Sequence, residues 1–271
     1  MSHYSQYNIA NVRIAFRSNI ALSVPNELGL FTDQKSTQAD FTYDCFMQNE
    51  LPDIRMNGNV KYYFDQIKER NYAVTEETDR KMTVYLSQEN LPWGNEIQQL
   101  YTQLALPHVL LLHRKILLHA AYILTSEGAI LFTAPSGTGK STQAELWKKY
   151  RSAEIINGDR AVIGLENGVP TAYGYPISGS SEYCQNVAGK LRAIVSLKQA
   201  PFNAVRLLGG AESLFVLINR SFLPAEYASD LPLVIDSAAP ICEKVPILEL
   251  SCRPDEGAVD TLYDALNGLT K

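Results

Sequence analysis

The chain has 271 residues, a formal net charge of −5, 46 % hydrophobic residues and 20 % charged residues. This length allows one or two domains with a sizeable core. The mildly acidic balance argues against a general nucleic-acid binder, because affinity for a phosphate backbone needs clustered Lys and Arg.

No apolar run approaches the ~20 residues needed to cross a bilayer. The opening segment "MSHYSQYNIANVRIAFRSN" has no apolar core of signal-peptide type. Cys45, Cys184, Cys242 and Cys252 show no paired metal-ligand spacing and read as reduced core or strand residues. These features predict a cytoplasmic protein with neither nucleic acid nor membrane as partner.

Residues 1–91 read as a β-rich module. Val12, Ile14 and Phe16 alternate with Arg13 and Ala15, and Met82, Val84 and Leu86 alternate with Thr83 and Tyr85. "FTYDCF" and "VKYYF" have strand composition, and "MNGN" between them reads as a hairpin turn. No catalytic cluster stands out here. The module either frames a site, binds a partner or is a structural extension.

The domain junction is expected near Leu91–Pro92, so that residues 92–271 form the second domain. Apolar Ile97, Leu100 and Leu104 fall at helical spacing until Pro107 interrupts. From Ile116 the pattern becomes α/β. "ILLHAAYIL" and "AILFT" are strands, "STQAELWKKY" is a helix and "AEIING" is a strand. "LRAIVSL", "LPLVIDS" and "PILEL" are predicted as later strands, and "DEGAVDTLYDALNGL" as a final helix.

Between "AILFT" and "STQAELWKKY" lies "APSGTGKST", Ala134–Thr142. Gly137 and Gly139 are free to take positive φ, which turns backbone N–H groups into one concavity, a nest for anions. The helix opening at Lys140 adds its dipole and unpaired N–H groups. Ser136, Gly137, Thr138, Gly139, Lys140, Ser141 and Thr142 are therefore the expected nucleotide-binding residues. Lys140 is expected to reach the β- and γ-phosphates, and the Ser141 hydroxyl to ligate Mg²⁺. Ala134 departs from the leading glycine of the usual pattern.

"RKILLHAAYILTSEGAILFTAPSGTGKS", followed by "AEIINGDRAVI", resembles the catalytic domain of HPr kinase/phosphorylase and its relatives of phosphoenolpyruvate-carboxykinase type. In these a strand carrying Leu/Val-His precedes the phosphate loop, and a strand ending Asp-Asp-Arg follows it. "KLRAIVSLKQAPFNAVRLL" and "VPILELSCRPDEGAVDTLYDAL" resemble later elements of the HPr-kinase-related proteins found beside peptide-modification genes. The likeness runs over about residues 95–271 and is specific around His119, the loop and Asp159.

The resemblance implies an α/β P-loop catalytic domain of HPr-kinase/carboxykinase type behind a small β-rich domain. It implies ATP and Mg²⁺ as cofactors, with Asp159, His119 and Lys140 as catalytic residues. Ser141 and Asp159 would hold the metal, Asp159 being matched to the metal-side aspartate because Arg160 follows it. His119 would give a hydrogen bond or positive charge near the transferred phosphate.

Two departures bear on activity. Gly158 stands where the family has the acid/base aspartate, and the helix opens Lys-Ser-Thr rather than the Lys-Ser-Glu of HPr kinases, which removes HPr as the implied substrate.

The expected function is an ATP/Mg²⁺-dependent phosphotransferase acting on a hydroxyl of a peptide, a protein or a small molecule, in a chain that could form a homo-oligomer. The alternative is a nucleotide-binding accessory protein with little turnover, which Gly158 favours. A motor- or transporter-type ATPase is a third reading, because "LPLVID" imitates a metal-binding strand, although no Leu-Ser-Gly-Gly signature precedes it. The polar loop Tyr173–Glu182 could line an acceptor pocket or be plain surface, with Glu182 the next candidate base. His108 and His113 receive no role, and among Arg192, Arg206 and Arg253 none is singled out.

Overall fold

The computed structural model describes residues 1–21, 26–33, 38–54, 59–65, 69–89, 106–223 and 225–269. It is a mixed α/β protein with two sheets, divided into two compact units, Met1–Val109 and Leu110–Lys271. The junction expected at Leu91–Pro92 and the helix expected around 97–104 lie outside the described residues. Among the described residues no helix is long and apolar enough to cross a membrane.

The first unit carries a six-stranded sheet. Its strands are β1 (His3–Ile9), β2 (Val12–Ser18), β3 (Phe41–Gln48), β4 (Val60–Asp65), β5 (Arg70–Thr78) and β6 (Lys81–Ser87), in the order β1-β2-β3-β6-β5-β4. The period-two pattern of β2 and β6 does what it predicts, since Ile14, Phe16, Met82, Val84 and Leu86 are all buried. Aromatic side chains supply much of the core, with Phe16 stacked on Tyr43 at 4.8 Å between ring centroids.

The hairpin expected at "MNGN" is not formed. Residues 56–58 lie outside the described residues, but β3 runs parallel between β2 and β6 while β4 pairs with β5, so the two flanking strands are not neighbours. A crossover within the sheet overrides the local turn signal.

Helix α1 (Leu106–Leu112) has Pro107 in its first turn, where the missing N–H costs no hydrogen bond. His108 pairs with Glu77 at 2.9 Å.

The second unit carries β7 (Lys115–Thr125), β8 (Gly128–Thr133), β9 (Glu154–Asn157), β10 (Arg160–Glu166), β11 (Val169–Tyr173), β12 (Ala188–Gln199), β13 (Ala204–Leu207) and β14 (Ile247–Cys252). The order is β11-β10-β7-β8-β12-β14-β13, with β9 on β7 and β11 also pairing with the start of β12. Strands β8, β12 and β14 are mutually parallel, so their C-terminal ends share one edge of the sheet.

Helices cover both faces. Ala121, Ile123, Ile130, Phe132, Ala193 and Val195 pack with α2 (Lys140–Arg151) and α5 (Glu256–Gly268). The alternate residues, among them Leu118, Ala120, Tyr122, Leu131 and Ile194, pack with α3 (Gly210–Arg220) and α4 (Leu231–Lys244). Burial on both sides explains why "ILLHAAYIL" and "AILFT" read as continuous apolar runs and not as alternating ones. Trp147 of α2 is 1 % exposed and lies 6.3 Å from the Phe132 ring, which pins the helix to β8.

One predicted strand is wrong. "LPLVIDS" opens α4, with Pro232 in its first turn and Val234, Ala238 and Ile241 buried at helical spacing. A short apolar run does not distinguish strand from buried helix, and only the residues beyond it carry the 3.6-residue period. Asp236 is consequently a largely exposed helix residue, 3.6 Å from Arg114, so the metal-binding strand of a motor ATPase is absent here.

Candidate functional site

The segment Ala134–Gly139 joins the end of β8 to the start of α2. Ala134 is fully buried within the cluster that contains Ala144 and Trp147, and it is not among the positive-φ residues. An alanine methyl there fills core space, so a leading glycine is not required. Gly137 has φ 76° and Gly139, the residue before α2, has φ 114°. A Cβ at either would meet no atom within 4 Å, so the loop opens onto free space.

The loop is braced from both sides. Thr138 N donates to Pro135 O at 3.3 Å, and Gln199 Nε2, from the end of β12, donates to Thr138 O at 3.4 Å. Lys140 is 7 % exposed, and its Nζ donates to Ala134 O at 3.2 Å. Burial lowers its pKa below the usual lysine value. The Asp159 carboxylate opposes that shift, while the charge of Arg220, at the end of α3, adds to it. Ser136, Gly137, Ser141 and Thr142 are exposed.

The facing wall comes from β7 and β10. His119 and Arg160 are cross-strand partners, and Ala120 N donates to Asp159 O at 2.9 Å. His119 Nε2 lies 3.0 Å from Asp159 Oδ1, and Arg160 Nε lies 3.3 Å from Asp159 Oδ2. The Arg160 guanidinium stacks 4.8 Å from the Phe222 ring. The hydrogen bond from His119 holds the Asp159 carboxyl below the usual carboxylate range, and the charges of His119, Arg160 and Lys140 work the same way against burial.

Asn157 organises this wall. It is fully buried; its Nδ2 donates to Tyr175 O and Ile177 O, and its Oδ1 accepts from the backbone N of both Asp159 and Arg160 at 2.9 Å. One amide thus ties the turn that presents Asp159 to the segment after β11. In sequence Asn157 is only a strand-end asparagine followed by glycine, which signals a turn and nothing more.

The same close packing accounts for Gly158. A Cβ at this position would stand 2.1 Å from Ser181 Oγ and 2.5 Å from Ser181 Cβ. The space an aspartate side chain would need is filled by the 178–183 loop. This loop is held by Ser178 Oγ donating to Ser181 O at 2.7 Å and by Tyr183 N donating to Ser181 Oγ. Gly179 approaches just as closely, since its Cβ would lie 2.8 Å from Asp159 Oδ2. Tyr173–Glu182 is therefore not a plain surface loop: Tyr175 and Ile177 are buried, and only its far end reaches solvent.

A cavity of about 370 Å³ lies where these parts meet, lined among others by Ser141, Glu145, Gly158, Asp159, Ser181 and Glu182. Ser141 and Asp159, from different elements, thus face the same space. A second cavity of about 380 Å³ opens on the other side of the loop, lined by Thr138, Thr142, Gln143, Ala200 and Arg253 among others. The arginines separate accordingly. Arg192 pairs with Glu127, and Arg206 with Glu212 and Glu249, whereas Arg253 stands beside the loop and pairs with Asp255.

Among the described residues no three His, Cys, Asp or Glu side chains group as a metal site. A hydroxyl and one carboxylate on a shared cavity nevertheless fit Mg²⁺, which keeps several waters and takes its remaining ligands from substrate phosphates.

No family model matches the chain, and no curated protein matches it. Among solved structures, the chain is similar to the Hpr(Ser) kinase/phosphatase from Coxiella burnetii, at 12 % identity with a TM-score of 0.36. That match covers 57 % of this chain and 99 % of the other. The relationship is a distant structural one.

Proposed function

We propose that the chain is an ATP- and Mg²⁺-dependent phosphotransferase with a hydroxyl acceptor, either a serine of a peptide or protein or a small molecule. The observation that carries this reading is the shared cavity. Ser141, the residue that follows Lys140 at the end of the glycine loop, lines one cavity with Asp159, and the charge of Lys140 acts on the Asp159 carboxylate. Phosphoryl transfer is mostly positioning and charge neutralisation, and these residues supply both.

In this reading the loop N–H groups and Lys140 hold the β- and γ-phosphates, and Ser141 and Asp159 hold Mg²⁺. Bound there, the ion would neutralise charge on the phosphates. His119, hydrogen-bonded to Asp159, fixes the carboxylate's orientation. With Ser181 occupying the space beside Gly158, the base is sought elsewhere, and Glu182 on the same cavity wall is the carboxylate assigned to the acceptor's proton.

A second reading is a nucleotide-binding accessory protein with little turnover, favoured by the tight fit of Ser181 against Gly158. The two are separated by one set of measurements. Mg·ATP should raise the melting temperature of the wild type through binding to the folded state, and Lys140→Ala should abolish the shift while the apo protein stays folded. An unchanged shift in Lys140→Ala removes the loop from the argument. Glu182→Gln should then slow acceptor phosphorylation by about 10²–10⁴-fold without weakening nucleotide binding. Binding without any transfer, across a panel of serine peptides and small alcohols, favours the accessory reading.

A further inference from the structure

We infer that the cavity between the loop and the C-terminal ends of β12 and β14 is the seat of an adenine base, read by Gln143. The inference rests on the nucleotide-site reading above and gives it a direction. Consecutive residues at the start of α2 face opposite ways: Ser141 lines the cavity shared with Asp159, and Thr142 lines the one shared with Arg253. If Ser141 and Asp159 mark the metal end of a triphosphate, the nucleoside end has to leave the loop on the Thr142 side. Ligands of open α/β sheets bind beyond the carboxyl ends of parallel strands, and this cavity is built from the ends of β12 and β14, next to β8.

A second, independent observation is an unsatisfied amide. Gln143 is 2 % exposed, its Oε1 has no hydrogen-bond partner, and its Nε2 donates only to Cys252 Sγ at 3.4 Å. A buried amide oxygen without a donor is costly, and sulfur is a weak acceptor. Both deficits are met by one ligand. The adenine edge offers the N6 amine as donor and N7 as acceptor, the pair that a glutamine amide matches bidentately. The remaining walls suit a flat ring, with Leu197, Ala200 and Pro254 apolar and the Arg253 guanidinium at the rim. The volume of about 380 Å³ falls within the range of small-molecule sites.

The test is calorimetric binding of ATP, GTP and inorganic tripolyphosphate, each with Mg²⁺, to the wild type, Gln143→Leu and Ala200→Phe. Tripolyphosphate reports the loop alone, and the advantage of ATP over it reports the base. ATP should bind at least tenfold more tightly than tripolyphosphate, and roughly tenfold more tightly than GTP. Gln143→Leu should erase the preference for ATP over GTP. Ala200→Phe, which fills the cavity, should reduce ATP to the affinity of tripolyphosphate and leave tripolyphosphate itself unchanged, which also certifies the fold. Equal binding of ATP and tripolyphosphate, indifferent to Ala200→Phe, would overturn the base site while leaving the loop standing. An ATP advantage that Ala200→Phe removes but that never distinguishes ATP from GTP would overturn the role given to Gln143. Failure of all three ligands to bind the wild type sinks the nucleotide reading itself.

Discussion

The first turn of α2 separates two unlike environments. On one side Glu145, Asp159 and Glu182 surround Ser141, and Asn157 and the 178–183 loop pack the wall tightly. On the other side Arg253 is the one charged residue of a lining that mixes Leu197, Ala200 and Pro254 with Thr138, Thr142 and Gln199, and it contains a buried amide oxygen lacking a partner. A polar wall in which Asn157 and His119 hold Asp159 by hydrogen bonds is suited to holding charge in a fixed place. A slot with apolar walls on part of its lining and an unmet amide oxygen is suited to recognising a ring. One helix N-terminus therefore borders two different environments, and the difference lies in which strand ends stand beside it.

The sharpest way to break this comparison is to remove what both sides share. Trp147 anchors α2 against Phe132, and truncating a buried Trp costs about 3–5 kcal/mol. Trp147→Ala should lower stability by that amount in chemical denaturation and weaken ATP and tripolyphosphate together. Loss of one ligand alone would mean that the two sides do not depend on a common helix position.

Asn157→Ala acts on one side only. It strands the backbone N–H groups of Asp159 and Arg160 and the carbonyl of Ile177, and leaves the Tyr175 carbonyl with the weak Cys184 thiol donor. With buried unsatisfied groups costing roughly 1–3 kcal/mol each and solvent relieving some of them, a loss of about 2–4 kcal/mol is expected. The magnesium dependence of nucleotide binding should fall with it, while the advantage of ATP over tripolyphosphate persists. Denaturation curves paired with calorimetry at varied Mg²⁺ read both effects.

Much of the second unit was legible because its sheet is covered on both faces. Long apolar strands, the glycine turn and a helix with Lys at its start leave a local mark. What the sequence did not reveal depends on contacts between distant segments. Ser181 against Gly158, and Gln143 beside Cys252, are neighbours only after folding. The strand misread at "LPLVIDS" and the absent "MNGN" hairpin failed for a related reason, since local pattern gave way to packing and sheet order.

Gly158→Asp tests how tightly the acidic side is packed. Read from sequence, this change restores a carboxylate pair; in the structure its Cβ collides with Ser181. Overpacking of this kind costs about 1–3 kcal/mol. The single variant should be destabilised by that amount with no gain in transfer, and the double variant Gly158→Asp/Ser181→Gly should recover most of the stability. A single variant that is as stable as wild type and faster would show that the loop yields easily and that the missing base was an aspartate after all.

The smallest effect expected is in the pH dependence, and its sign follows from Asp159. Its folded pKa lies below the ordinary carboxylate value of about 3.9, mainly through the hydrogen bond from His119. Such a group binds its proton more readily when unfolded, so its contribution to stability is present above pH ~4 and is lost as the pH falls through the folded pKa. Asp159→Asn removes the charge but keeps the shape. Its stability deficit should therefore stay constant from neutral pH down to about pH 5 and close as the solution becomes more acid. The deficit should be about 1 kcal/mol or less, because the pair is partly solvated. Denaturation of both proteins across this range measures it. A deficit that widens in acid would mean that the carboxylate is neutral in the folded protein, and then Asp159 could not present the charge that sets the acidic side apart from the other.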